Sequence, residues 1–154
     1  MKTIVITGAG GVLCSAFARH LAAQGSAVAL LDINEAAVRA VADEINAAGG
    51  TARAYAANVL DRESLTAVHE AVKAELGPCD ILINGAGGNN KRCTADHEFY
   101  ETGDETREDI QTFFNLDPDG FRFVFDLNLL GTLLPTQVFL PDMLGKTGCC
   151  VLNI

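Results

Sequence analysis

Basic residues are scarce in this chain. Its 154 residues carry 11 Lys and Arg against 20 Asp and Glu, a formal charge of −9. Phosphate recognition needs clustered cations, so this balance argues against nucleic acid as a partner. It argues against an anionic membrane surface on the same ground. Cysteine pairs are also missing. Cys14, Cys79, Cys93, Cys149 and Cys150 include no C-x-x-C, and His20, His69 and His97 are scattered. No zinc pattern results, and no metal is expected. No apolar run approaches the length of a membrane span. The opening stretch Met1–Gly8 is too short and too glycine-interrupted for a secretory leader. The expectation is a cytoplasmic protein with reduced thiols. Linkers, repeats and low-complexity segments are absent, which predicts one domain over 1–154.

What is present is an alternation of apolar runs and helix-period segments. Ile4-Val5-Ile6 and Ala27–Leu31 read as buried strands. Between them Leu13, Phe17 and Leu21 recur every four residues, a helical stripe closed by Gly25. A second helix opens at Asn34, carries Val38, Val41 and Ile45 on one face, and stops at Gly49-Gly50. Thr51–Val59 reads as a third strand. Asp61 caps a third helix with Leu65, Val68, Val72 and Leu76 on its apolar face. Ile81-Leu82-Ile83 is the fourth strand. Asp117-Pro118 reads as a cap with proline in the first helical turn, opening a long helix to about Met143. The run from Cys149 to Ile154 reads as the inside of a fifth strand. Continuous apolar strands alternating with helices predict an α/β fold: a Rossmann-type, doubly wound parallel sheet with helices on both faces.

Gly8-Ala9-Gly10-Gly11 falls between the first strand and the first helix. Glycines there let the backbone approach a pyrophosphate, which then meets the free N–H groups and positive dipole of the helix start. Asp32 ends the second strand. A carboxylate at that place accepts both ribose hydroxyls of adenosine and repels the extra phosphate of NADP, so the expected cofactor is NAD.

These residues resemble a known family. Thr7-Gly8-Ala9-Gly10-Gly11-Val12-Leu13-Cys14 is similar to the T-G-x-x-x-G-x-G opening of short-chain dehydrogenases/reductases. Asn84-Gly85-Ala86-Gly87 resembles their N-x-A-G stretch, Asn58-Val59 their adenine-touching D-V pair, and Asn128-Leu129-Leu130-Gly131 the N-x-x-G of their long fourth helix. The G-G-V-L variant, the Gly87-Gly88-Asn89 continuation and a long acidic segment look like the D-mannonate oxidoreductase (fructuronate reductase) branch. The resemblance implies cofactor contacts at Thr7, Gly8, Gly10, Gly11, Val12, Leu13, Asp32, Ile33, Asn58, Val59 and Asn84 through Gly87. It implies an NAD-dependent transfer of hydride to or from a sugar acid. A neutral polyol or another keto compound, or a non-catalytic nucleotide-binding fragment, are the alternatives.

Three departures stand out. Val12 and Cys14 occupy positions where the family has glycine. A side chain at Cys14 either spreads helix from strand or fills space left by a small neighbour. Asn58 replaces an aspartate, and its carbonyl oxygen remains able to accept from the adenine amino group. The third departure is catalytic. The family uses a Ser and a Tyr-x-x-x-Lys, with an Asn in a helix distortion carrying a proton relay. Only the Asn has a counterpart, Asn128, with Gly131 and Pro135 nearby to distort the helix. Tyr55 and Tyr100 have no Lys four residues later. The chain is therefore expected to be the N-terminal portion of such a protein, cut after the fifth strand and inactive alone.

The charge is concentrated. Residues 88–119 hold nine acids against three bases, which predicts a solvated loop or a lid. Lys91 and Arg92 follow the fourth strand's carboxyl end, and either could meet a substrate carboxylate. The helix near 118–143 is apolar most of the way round, which predicts burial on several sides. The family resemblance implies a homodimer or homotetramer packed through it.

Overall fold

A computed structural model describes residues 1–154. Five parallel strands form one sheet: β1 (Thr3–Thr7), β2 (Ala27–Asp32), β3 (Thr51–Ala56), β4 (Ile81–Asn84) and β5 (Cys150–Asn153), in the order β3-β2-β1-β4-β5. Thr3 stands beside Ala27 on one flank, and Ile4 beside Ile81 on the other. The strand order reverses at β1, so the ends of β1 and β4 form the switch point where such sheets bind ligands.

Side chains alternate across the strands and build two cores. Ile4, Ile6, Val28 and Leu30 pack under α1 (Val12–Ala23) and α2 (Glu35–Ala47). Val5, Ala29, Leu31 and Leu82 pack under α3 (Arg62–Glu75) and under Phe139 of α5 (Gly131–Phe139). Asn34 caps α2 by accepting from the Ala37 amide, and Asp61 caps α3 through the Glu63 and Ser64 amides. β3 ends at Ala56 rather than at Val59.

The buried face of α1 differs from the expected stripe. Cys14, Ser15, Ala18 and Ala22 are buried, while Leu13 is exposed and Phe17 and Leu21 pack only at the margin. The helix starts hard against the strand ends, where only small side chains fit. Steric closeness there overrides hydrophobic weight.

From Pro118 to Met143 the chain runs as one helical rod: α4 (Pro118–Phe125), a π-helical turn (Asp126–Leu130), α5, and a short 3₁₀ turn. Contrary to expectation, this rod is by length and composition apolar enough to cross a membrane. Here it lies along the sheet, with Gly131, Pro135, Phe139 and Met143 buried. Its outer face is open: Phe121, Phe123, Phe125, Leu129, Leu130 and Leu133 are all exposed, fewer buried sides than the pattern predicts. β5 also departs from expectation. It pairs with β4 alone, and Cys150 and Leu152 are exposed.

The acidic segment is an ordered excursion. Its base is closed by Arg92, whose guanidinium Nε donates to Asp117 Oδ2 at 2.7 Å and whose carbonyl accepts the Asp117 amide at 2.9 Å. Gly120 presses on Arg92 so closely that a Cβ there would stand 2.9 Å from Arg92 Cβ.

Candidate nucleotide site

The cradle is built by two loops that leave β1 and β4. Gly8 adopts φ +66°, a left-handed conformation, and a Cβ there would stand 2.6 Å from the Gly85 carbonyl. Only glycine allows both. The Thr7 hydroxyl accepts from the amides of Gly85 (3.1 Å) and Ala86 (3.2 Å), so one oxygen ties the two loops together. Asn84 is buried beneath them, donating its amide to Thr136 Oγ1 and Asn153 Oδ1.

The first helix offers its N-terminus to this cradle. Gly11 caps α1 without a side chain, and the first turn has no acid. Its leading amides and dipole are therefore free for an anion. Val12 is 92% exposed and Leu13 52% exposed, so the approach from solvent is open. Asp32 faces the same loop. Its Oδ2 accepts the Gly10 amide at 3.0 Å, and its Oδ1 accepts the Asn34 amide at 2.9 Å. Each oxygen keeps a further lone pair for a hydroxyl.

A groove of about 280 Å³ opens here, lined by Gly8, Gly11, Asp32, Ile33, Asn58, Val59 and Gly85–Gly87, with Ala57 and Leu127. The structure thus gathers nine of the expected cofactor residues around one space. Thr7, Gly10 and Asn84 stand behind it as supports. Val12 and Leu13 form the first turn of α1 and do not line the groove. Ala57 and Leu127 were missed in the sequence, since nothing local marks them. Asn58 Oδ1 accepts the Leu60 amide at 3.0 Å, which fixes the side chain and leaves its second lone pair for another donor.

Asn128 sits in the π-helical turn, where such distortions free backbone groups. Its side chain grips the loop after β4. Oδ1 accepts the Gly88 amide at 3.2 Å, and Nδ2 donates to the Gly88 carbonyl at 2.9 Å. Its own carbonyl accepts from the Thr132 hydroxyl at 3.0 Å. Arg92 is held by Asp117, while Lys91 makes no ion pair and is exposed. Tyr55 donates to Glu75 and Tyr100 to Glu105. Burial first, then Glu75, pushes the Tyr55 phenol well above its usual range. Neither tyrosine lies in the groove.

A Rossmann-type sheet with a glycine cradle at its switch point and an acid ending β2 defines a dinucleotide-binding α/β protein. Residues 2–154 match the family model for short chain dehydrogenases, and the chain belongs to that family. An uncharacterized oxidoreductase of Haemophilus influenzae is 54% identical over 99% of this chain and 53% of its own. The uncharacterized oxidoreductase UxuB of Bacillus subtilis is 46% identical over 99% of this chain and 54% of its own. A Haemophilus crystal structure, provisionally named a D-mannonate oxidoreductase and holding NAD, superposes with TM-score 0.94 at 53% identity, covering 99% of this chain and 54% of that one. The chain spans about half the length of the relatives it matches.

Proposed function

We propose that this chain is the cofactor-binding portion of an NAD-dependent oxidoreductase that moves a hydride between nicotinamide and a sugar acid of the D-mannonate/D-fructuronate type. The observation that carries the reading is Asp32, turned onto the glycine loop beside an uncapped helix N-terminus. The free amides of α1 fit a pyrophosphate, and the Cβ-excluding contacts at Gly8 fit a backbone that must let it come close. Asp32 and Ile33 would hold the adenosine ribose, Asn58 and Val59 the adenine, and Asn84–Gly87 the nicotinamide side. NAD, when bound, supplies the hydride acceptor. Asn128 orients the Gly88 loop and sets its distorted turn beside the reacting region. The negative charge of Asp32 disfavours the extra phosphate of NADP.

The substrate class rests on similarity to the Haemophilus protein and on Lys91, a cation with no ion-pair partner after β4. The Arg92–Asp117 pair favours a second reading, a neutral polyol, because it removes one of the two cations that an acid would need. The open apolar face of the 118–143 rod supports a homodimer or homotetramer. Five free thiols fit a cytoplasmic setting. The 154 residues contain no Tyr-x-x-x-Lys, so we expect them alone to bind NAD weakly or not at all and not to turn over.

The test is an NADH fluorescence titration of the full-length protein and of its Asp32→Ala variant. Losing a hydrogen-bonding charge worth about 1.5–3 kcal/mol should raise the NADH Kd by roughly tenfold or more and narrow the preference over NADPH. Unchanged Kd values for both cofactors would overturn the reading. Steady-state rates with D-mannonate against neutral polyols decide the substrate class.

A further inference from the structure

We propose that His97, Glu101 and Asp104 form a binding site for one divalent transition-metal ion, of the zinc class, inside the acidic segment. One donor atom from each residue lies within 4.8 Å of the others. His97 Nδ1 is 3.7 Å from Asp104 Oδ2 and 3.8 Å from Glu101 Oε2. Those separations are too long for hydrogen bonds. They are close to the ~3.3–3.6 Å between two ligands that share a tetrahedral ion, so a small inward movement completes the set.

The independent observation is burial without satisfaction. Asp104 is only 4% exposed, yet its Oδ1 has no hydrogen-bond partner. His97 Nδ1 is likewise buried and unpaired. A carboxylate hidden from water with an idle oxygen is costly unless a polar or cationic partner meets it. The imidazole does not supply that contact: its Nδ1 stands 3.7 Å from Oδ2, the oxygen that the Glu101 amide already holds, and not beside Oδ1. A bound ion satisfies the ring nitrogen, and an Asp104 carboxylate that grips it through both oxygens brings the idle Oδ1 into the shell as well.

The scaffold around these groups is already set. The Glu101 amide donates to Asp104 Oδ2 at 2.9 Å, the supporting contact that a ligating carboxylate needs. The Thr112 hydroxyl donates to the Asp104 carbonyl at 3.1 Å, fixing the turn from the far side. Glu101 is exposed and free to swing inward. His97 and Asp104 also line a cavity of about 410 Å³, which gives the ion a way in. One imidazole with two carboxylates selects zinc-like ions over magnesium or calcium, which prefer all-oxygen shells. The site shares no residue with the nucleotide groove, so it stands or falls separately. Its effect is to pin residues 97–112 into one conformation.

The experiment is calorimetric titration of EDTA-stripped, full-length protein with ZnCl₂ under a non-chelating reductant. One equivalent should bind. His97→Ala and Asp104→Asn should each weaken it by about tenfold or more, since even supporting residues cost 10- to 100-fold. MgCl₂ and CaCl₂ should give no heat that these variants abolish. CoCl₂ added to the unaltered protein needs no variant to fold, and should give visible ligand-field bands without a sulfur charge-transfer band. Absent zinc binding, affinity unchanged in both variants, a sulfur band, or magnesium or calcium binding lost in the variants would each overturn the proposal.

Discussion

Cys14 Sγ occupies the space that a β-carbon on Gly85 would need. The family pattern has glycine at the position of Cys14, so bulk on the helix side is offset by its absence on the loop side. Of the two outcomes open to a side chain at position 14, the structure shows the second: it fills space left by a small neighbour. Burial, and then the nearby Asp32 charge, push the Cys14 thiol up from its ordinary pKa, which suits a packing role.

Gly85→Ala should therefore destabilise the protein by about 1–3 kcal/mol, the usual cost of overpacking. In a Cys14→Ala background the same change should cost less, because the obstructing sulfur is gone. The remaining tight contact, 3.1 Å from the Thr7 carbonyl, sets the residual cost. Urea midpoints of the four proteins in this cycle measure the coupling. Additive effects would show that the two positions do not compete for space.

Arg92→Ala should leave global stability within ~1 kcal/mol, since its pair with Asp117 is largely exposed. Its effect should appear locally instead. The pair closes the base of the acidic segment, so residues 93–116 should open more often and be cut faster by trypsin at Arg107. Cleavage at the wild-type rate would deny the pair that role. The hydrogen bond from the Asp119 amide, and then Arg92 itself, hold the Asp117 carboxyl below its usual range.

Asp142 joins three elements. Its Oδ2 takes the Cys79 amide at 2.9 Å and sits 2.9 Å from His69 Nε2. Burial pushes this carboxyl up, but the Cys79 amide and His69 outweigh it, and the group stays below the ordinary aspartate value. A depressed folded-state pKa contributes stability above the unfolded value of about 3.9. That contribution fades as pH falls below about 4. Asp142→Ala should cost about 1–3 kcal/mol at neutral pH, because it strands a buried amide. The gap between variant and wild type should shrink in acid, and unfolding curves at pH 7 and pH 3 test it.

The strands, the glycine turn and Asp32 were legible because each rests on a local signal: an apolar run, a missing side chain, an acid where a strand stops. The helix caps at Asn34, Asp61 and Asp117 were legible for the same reason. The buried face of α1 was not. Leucine spacing suggested Leu13 and Leu21, whereas proximity to the strand ends admits only Cys14, Ala18 and Ala22. The distortion expected at Asn128 is there, a π-helical turn over Asp126–Leu130, although Gly131 and Pro135, the residues that suggested it, lie just beyond. Pro135 cannot donate to the Gly131 carbonyl, yet the turn that widens is the one holding Asn128. Contacts between distant positions left no trace at all. The Thr7 hydroxyl meets amides 78 and 79 residues away, and Arg92 meets an acid 25 residues on. No periodicity announces such meetings.

The closed base of the acidic segment carries a consequence beyond its own stability. Residues 92 and 117–120 meet so tightly that the chain enters and leaves the excursion at nearly one point. What lies between behaves as a cassette. Sequence drift or changes of length above that neck leave the sheet and its glycine loops undisturbed, because closure is complete before the excursion begins. A lineage carrying this neck can rewrite the excursion while inheriting the nucleotide cradle unaltered.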